Sequence, residues 1–235
     1  MFMRTRFKGL AALAVVLLIA GVATPSASAS RPTWDVRADF RVYPNQENPS
    51  PDQMNNSGVW SYLYSPSGQL DPLAYKPLPD FSADKFGIQG LDSWWGRNES
   101  TSRDDLLPAV GINVTGHDVS LSNVHWPADD VLVHPWWNQP VVIGWHSPVH
   151  GDVTVSGIVS LAQQPNCGDG VDWALYLDGT VLAHGTIAQQ QDNAWLLPAV
   201  HVSQGDSLYL TVSSRTTIDC DSTLVDLSIT RGAPG

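Results

Sequence analysis

From Val141 to the end of the chain, apolar and polar residues alternate with a period of two, and Gly, Pro and Asp interrupt the alternation at short, regular intervals. Successive side chains on a strand point to opposite faces, so this period predicts strands with one buried face. "VVIGWHSPVHGDVTVSGIVSL" reads as strand, turn, strand. In its second strand Val153, Val155, Gly157, Val159 and Leu161 share one face, while Thr154, Ser156 and Ser160 share the other. "VDWALYLDGTVLAHG" reads as a hairpin, because Asp178-Gly179 is a favoured two-residue turn. "AVHVSQGDSLYLTVSS" repeats the design, and "TLVDLSIT" closes with Val225, Leu227 and Ile229 on one face. Short, regularly punctuated strands of this kind build a sandwich or a barrel.

Residues 31–140 are less regular. Pro and Gly break "YPNQENPSPDQMNNSG" and "YSPSGQLDPLAYKPLPDFS" into loops. One clear strand is predicted at Val59–Tyr64, with weaker ones near Gly111–Val114 and Val131–His134. No stretch sustains a helical period. No composition shift marks a linker, so residues 30–235 read as a single β-sandwich domain with long ordered loops in its first half. A split near residue 138 is the alternative.

The first 29 residues have a different character. Arg4, Arg6 and Lys8 precede an apolar run from Leu10 to Ala23, and Ala27-Ser28-Ala29 offers small residues for cleavage. This is the layout of a secretory signal peptide, and the run is short of the ~20 apolar residues that span a bilayer. A secreted, extracellular protein without membrane insertion is expected. Without those three basic residues, 9 Lys and Arg face 23 Asp and Glu. A chain this acidic repels phosphate backbones, which excludes nucleic acid as a natural partner. Glu47 and Glu99 are the only glutamates, and Asp favours turns and oxygen-ligand sites over helix interiors.

Two cysteines, Cys167 and Cys220, are expected to pair in a secreted chain. That bond would bring "CGDG" near "DCD", and so Asp169 and Asp172 near Asp219 and Asp221. Four carboxylates in one patch repel unless a cation or protonation compensates, and calcium is the natural cation for carboxylate and carbonyl oxygens outside the cell. The plainer reading is that Asp169 and Asp221 cap turns by accepting backbone N–H bonds. Hydrolase signatures are missing: there is no G-x-S-x-G and no H-E-x-x-H. His146 and His150 have a metal-like spacing, but Pro148 and Gly151 break any helix that would align them. No catalytic residue is singled out.

Ten tryptophans are the most unusual feature. Trp60 and Tyr62 share a strand face, and Trp94-Trp95 and Trp136-Trp137 are doublets in loop-like surroundings. Neighbours on a strand face opposite ways, so one member of each doublet is expected to face water, with Trp95 and Trp137 as the outward members. An exposed indole stacks on the C–H face of a pyranose, which makes Trp60, Tyr62 and the two doublets candidate ligand contacts. Most of the ten are expected to fill the core.

"GVWSYLYS", "VLVHPWWNQPVVIGWHSPVHGDVTVSGIV", "GDGVDWALYLDG", "QGDSLYLTV" and "CDSTLVDLSIT" occur in that order. With them the chain resembles a recurrent Trp-rich domain of uncharacterised secreted bacterial proteins. The resemblance implies an all-β, jelly-roll-like β-sandwich similar in build to carbohydrate-binding modules, and it assigns no catalytic residues. The expected function is therefore a non-enzymatic binding module for a polysaccharide or cell-surface glycan. An extracellular polysaccharide hydrolase or lyase using Asp carboxylates, or a structural protein of the cell envelope, are the alternatives.

Overall fold

The computed structural model describes residues 31–42, 47–96, 107–163, 167–188 and 191–233. The expected signal peptide lies outside the described residues. Sixteen strands follow in chain order: β1 (Thr33–Asp35), β2 (Trp60–Tyr64), β3 (Lys76–Pro77), β4 (Asp80–Ser82), β5 (Leu91–Trp95), β6 (Ala109–Asn113), β7 (Val119–Leu121) and β8 (Val124–Trp126). Then come β9 (Val131–His134), β10 (Val141–His146), β11 (Gly151–Leu161), β12 (Val171–Leu177), β13 (Thr180–Ile187), β14 (Asn193–Val202), β15 (Ser207–Ser214) and β16 (Thr223–Arg231).

These strands form an all-β, jelly-roll-like sandwich. An eight-stranded antiparallel sheet runs β14-β11-β16-β9-β6-β5-β4, with β1 beside the far half of β16. A six-stranded sheet runs β13-β12-β15-β10-β2-β3. Strands from both ends of the chain interleave in each sheet. Only β12–β13 is the tight hairpin that the sequence suggests, turning at Asp178 and Gly179 with positive φ. The stretches 141–161 and 199–214 are not hairpins. β10 and β11 lie in opposite sheets, as do β14 and β15, so their turns cross the sandwich. Alternation marks a buried face, and it does not say which sheet the strand joins.

The core lies between the sheets. Val153, Val155, Val159, Leu227 and Ile229 meet Ile143, Trp145, Val171, Leu175 and Leu210 there. Two tryptophan pairs bridge the layers. Trp34 on β1 lies 5.3 Å from Trp145 on β10, and Trp173 on β12 stacks at 4.4 Å on Trp195 of β14. Gly157 is required under this stack, because a Cβ there would overlap the Trp195 ring.

One helix, α1 (Val36–Val42), follows β1. Two turns are too short to show a sustained period, but the cap is visible: Asp35 Oδ1 accepts from the N–H groups of Arg37 (3.1 Å) and Ala38 (3.0 Å). Val36 and Phe40, one turn apart, enter the core, and Phe40 stacks on Tyr62 at 4.4 Å. The segment is then tied down by two buried carboxylates. Trp34 Nε1 donates to Asp52 Oδ2 (2.7 Å), and Trp60 Nε1 donates to Asp39 Oδ2 (2.6 Å). Asp52 Oδ1 also accepts from the backbone of Met54 (2.9 Å) and Asn56 (2.8 Å). Among the described residues no helix is long and apolar enough to cross a membrane.

Cutting Asp52 to Ala strands a buried indole N–H and two backbone N–H groups. The expected loss is on the order of 3 kcal/mol, from the usual cost of unmet buried donors. Urea denaturation of the variant checks this, and a loss below about 1 kcal/mol would show that water replaces the carboxylate.

Candidate functional site

A cleft of about 450 Å³ opens on the outer face of the eight-stranded sheet. Its floor follows from register. Val110, Ile112, Val131 and Val133 face the core, so their strand neighbours face out. One outward row reads Trp95, Ala109, His134 across β5, β6 and β9, and the next reads Ser93, Gly111, Leu132. The small residues Ser93, Ala109 and Gly111 form the trough. A Cβ on Gly111 would overlap Ser93 Oγ and meet the Trp126 ring at 2.9 Å. A glycine inside a strand marks a close approach, and "AVGIN" is the sequence signal that points here.

The walls come from two additions to the sheet. The β7–β8 hairpin lies over it, and Trp126 and Val119 pack with Leu91 and Leu132 in a separate apolar cluster. On the other side, a 3-10 turn at Lys85–Gly87 places the Lys85 ammonium 4.8 Å from the Trp95 ring centre. Phe86, with φ of 62°, projects from this turn and is 64% exposed. Inside the cleft, Gln163 is buried and its Oε1 has no hydrogen-bond partner. Asn123, Ser122, His134 and Ser222 add further polar groups to the lining. Among the described residues no Asp or Glu lines it.

The aromatic candidates are distributed between core and surface. Trp60 and Tyr62 are fully buried between the sheets, which corrects their expected place on a ligand face: their strand β2 turns them into the core. Trp94 also faces inward, against Phe81 at 5.2 Å. Trp95 is the outward, partly exposed member of its doublet, beneath Lys85. Trp136 and Trp137 sit in a tight turn in which Trp136 and Gln139 exchange backbone bonds of 3.0 Å. Trp136 is half-buried, and Trp137 is 49% exposed. Phe86, Trp126 and Gln163 were not among the sequence candidates.

The acidic candidates separate as well. Cys167 and Cys220 are bonded, with Cα atoms 5.7 Å apart. Gly168 sits so close to the Asp219 carbonyl that a Cβ would overlap it. Asp169 Oδ2 accepts from the Thr216 N–H (2.9 Å) and hydroxyl, and these bonds hold its carboxyl below the usual range. Asp221 is fully buried, and neither of its oxygens has a partner. Burial, with Asp169 and Asp219 nearby, pushes its pKa up to about 8. Asp172 is not part of this group. It lies on the outer face of the six-stranded sheet, where its Oδ1 accepts from Thr186 Oγ1 at 2.6 Å. Among the described residues no three His, Cys, Asp or Glu side chains converge as a metal site. The expected four-carboxylate patch thus reduces to Asp169 and Asp221 with Asp219 at its edge, because strand alternation sends Asp172 to the far face.

A second, more polar groove of about 360 Å³ lies on the outer face of the six-stranded sheet, beside Asp172, Tyr176, His184, Thr211 and Ser213. Asp172 is the carboxylate among its described lining residues.

No protein-family model matches the chain, and no curated protein matches it. Solved structures to which it is similar include CBM51 from Clostridium perfringens GH95, in complex with methyl-galactose: 16% identity over 49% of this chain and 80% of that one, with a TM-score of 0.36. The CBM36-1 domain of a multidomain xylanase from the hindgut metagenome of Trinervitermes trinervoides is 11% identical over 52% of this chain and 94% of that one, with a TM-score of 0.30. Carbohydrate-binding module CBM36, in complex with calcium and xylotriose, is 12% identical over 48% and 83%, with a TM-score of 0.27. Superpositions this partial leave the ligand chemistry to this chain's own residues.

The raised Asp221 carboxyl sets a pH dependence in chelator. Its folded pKa lies above the unfolded one, so the linked stability is complete below about 4 and is lost as pH rises through about 8. Melting curves in EDTA should fall between pH 5 and pH 9, and Asp221→Asn should flatten that part of the profile. An equal fall in wild type and variant assigns the dependence to other groups.

Proposed function

We propose that the chain is a secreted, non-enzymatic glycan-binding module, and that the cleft on the eight-stranded sheet receives the sugar. The observation that carries this reading is the pairing of an exposed aromatic ring, Phe86, with a buried, unpartnered acceptor, Gln163 Oε1, in one open trough. A sugar ring has an apolar C–H face and a rim of hydroxyl groups. Phe86 offers a stacking surface for the first. Gln163 Oε1 accepts from a hydroxyl, while Asn123 and Ser122 supply further polar contacts. A buried acceptor left unmet is costly, so a ligand hydroxyl that reaches it gains more than one bonding in water.

The described lining supplies stacking and hydrogen-bonding groups, which supports a binding role. Trp137 belongs to the reading as a second aromatic contact outside the cleft. The leader-like N-terminus and the disulfide support secretion.

Pull-down on a panel of insoluble polysaccharides, with product analysis in the same tubes, tests this function. Retention without released sugar is expected. Phe86→Ala should weaken retention by about 1–3 kcal/mol, the range for stacking on flat ligands, and leave the melting temperature nearly unchanged. Trp137→Ala should have a smaller effect. Soluble products would establish the hydrolase or lyase alternative. Retention that depends on Trp137 and ignores Phe86 would move the site to the 136–139 turn.

A further inference from the structure

The carboxylates behind the cleft wall are arranged in a way that the glycan reading leaves unexplained. Asp221 is 0% exposed, and both of its oxygens lack a partner. Asp169 Oδ1 is also buried, while Thr216 anchors the other oxygen and the Thr217 N–H also bonds the carboxylate. Asp221 therefore presents two unmet oxygens near a second carboxylate. Keeping such a carboxylate ionised out of water costs several kcal/mol, so it is met either by a proton or by a cation. The nearby cation does not do so. Arg215 Nη1 donates to the Asp169 backbone carbonyl at 2.7 Å, and its Nε lies 3.8 Å from Asp172.

The frame around these oxygens is rigid. The disulfide joins the two segments, Gly168 lies against the Asp219 carbonyl, and Gly170 lies against the Ile187 carbonyl so closely that a Cβ would overlap it. The same frame reaches the cleft. Cys220 and Ser222 flank Asp221 in sequence and both line the cleft, whereas Asp221 is turned away from it. Asn123, at the tip of the β7–β8 hairpin, donates to both disulfide sulfurs, at 3.2 and 3.0 Å.

We infer that Asp169 and Asp221 hold a hard divalent cation of the calcium class directly behind the cleft, and that this cation braces the wall formed by residues 220–222 and the β7–β8 hairpin. The bracing role rests on the cleft being the ligand site; the cation site itself does not. Calcium takes 6–8 oxygen ligands in flexible geometry, so backbone carbonyls and water complete the shell around two carboxylates. Magnesium demands a tighter octahedron and fits such a mixed shell less well. Two carboxylates place the affinity in the range of extracellular modules, about 10⁻⁴–10⁻³ M.

Calcium chloride and magnesium chloride, added separately to the chelated full chain, are the probes. Calcium at ten times its Kd should raise the melting temperature by about 3–6 °C, and magnesium should raise it less. Hydrogen exchange should slow on calcium addition both at residues 219–224 and at residues 119–126. Asp221→Asn should abolish both responses. Asp169→Asn, at a partly exposed position, serves the same purpose if the first variant does not fold. No calcium response in the wild-type chain overturns the cation site and leaves Asp221 carrying a proton. Slowing confined to residues 219–221 overturns the bracing role alone. If the cation responses appear but no polysaccharide is retained, the glycan reading fails and the cation site stands.

Discussion

Two buried carboxylates, each accepting from a buried indole, hold the first part of this fold in place. Asp52 takes the Trp34 N–H and Asp39 takes the Trp60 N–H. Trp34 belongs to β1 in the eight-stranded sheet and Trp60 to β2 in the six-stranded one. The four residues therefore fasten a loop-rich segment to both layers at once. Burial alone would raise the Asp39 carboxyl, and it does, but the indole and the Gln53 N–H limit the rise by bonding the ionised form. The apolar ring of each Trp fills the core, and its single polar atom is satisfied by the carboxylate.

With that segment fixed, the sandwich presents two outer faces, and these differ in build. On the eight-stranded sheet, three adjoining small residues leave a trough that the β7–β8 hairpin and the Lys85–Gly87 turn wall in. On the six-stranded sheet, Tyr75, Tyr176 and Tyr209 pack with Leu63 and Val142, so the loop before β3 covers much of the face. His146 is held there between Ser61 Oγ (2.7 Å) and Ser207 Oγ (2.8 Å), and burial lowers its pKa. That grouping reads as a satisfied polar layer on this face.

The opening "CGDG" of the β12 region illustrates how one short stretch serves several ends. Cys167 bonds Cys220, Gly168 and Gly170 permit backbone contact with the facing segment, and Asp169 turns one oxygen to Thr216 and the other inward. The turn-capping role that its composition suggests is real at Asp169, whose carboxylate accepts a backbone N–H. It is absent at Asp221, whose oxygens accept nothing. The two residues looked equivalent in sequence, and their environments separate them.

Strand existence was legible because period-two alternation is a local property: β11, β12, β15 and β16 follow from the alternation in Val153–Leu161, Val171–Leu177, Ser207–Ser214 and Thr223–Thr230. The disulfide partner was legible because there were only two cysteines. Sheet membership was not, because a strand with one buried face looks the same in either layer, and β14 and β15 consequently read as a hairpin when they are not. The phase of an aromatic doublet was equally hidden, since burial depends on which neighbour the pleat meets. The trough was hardest to see. Ser93 lies 16 and 18 positions before Ala109 and Gly111 in the chain, and only pairing brings their missing bulk together. The sequence by itself determined the strands, the covalent link and the acidic, tryptophan-rich character. Tertiary structure decided which face is open and which carboxylates meet, because both depend on register between strands distant in the chain.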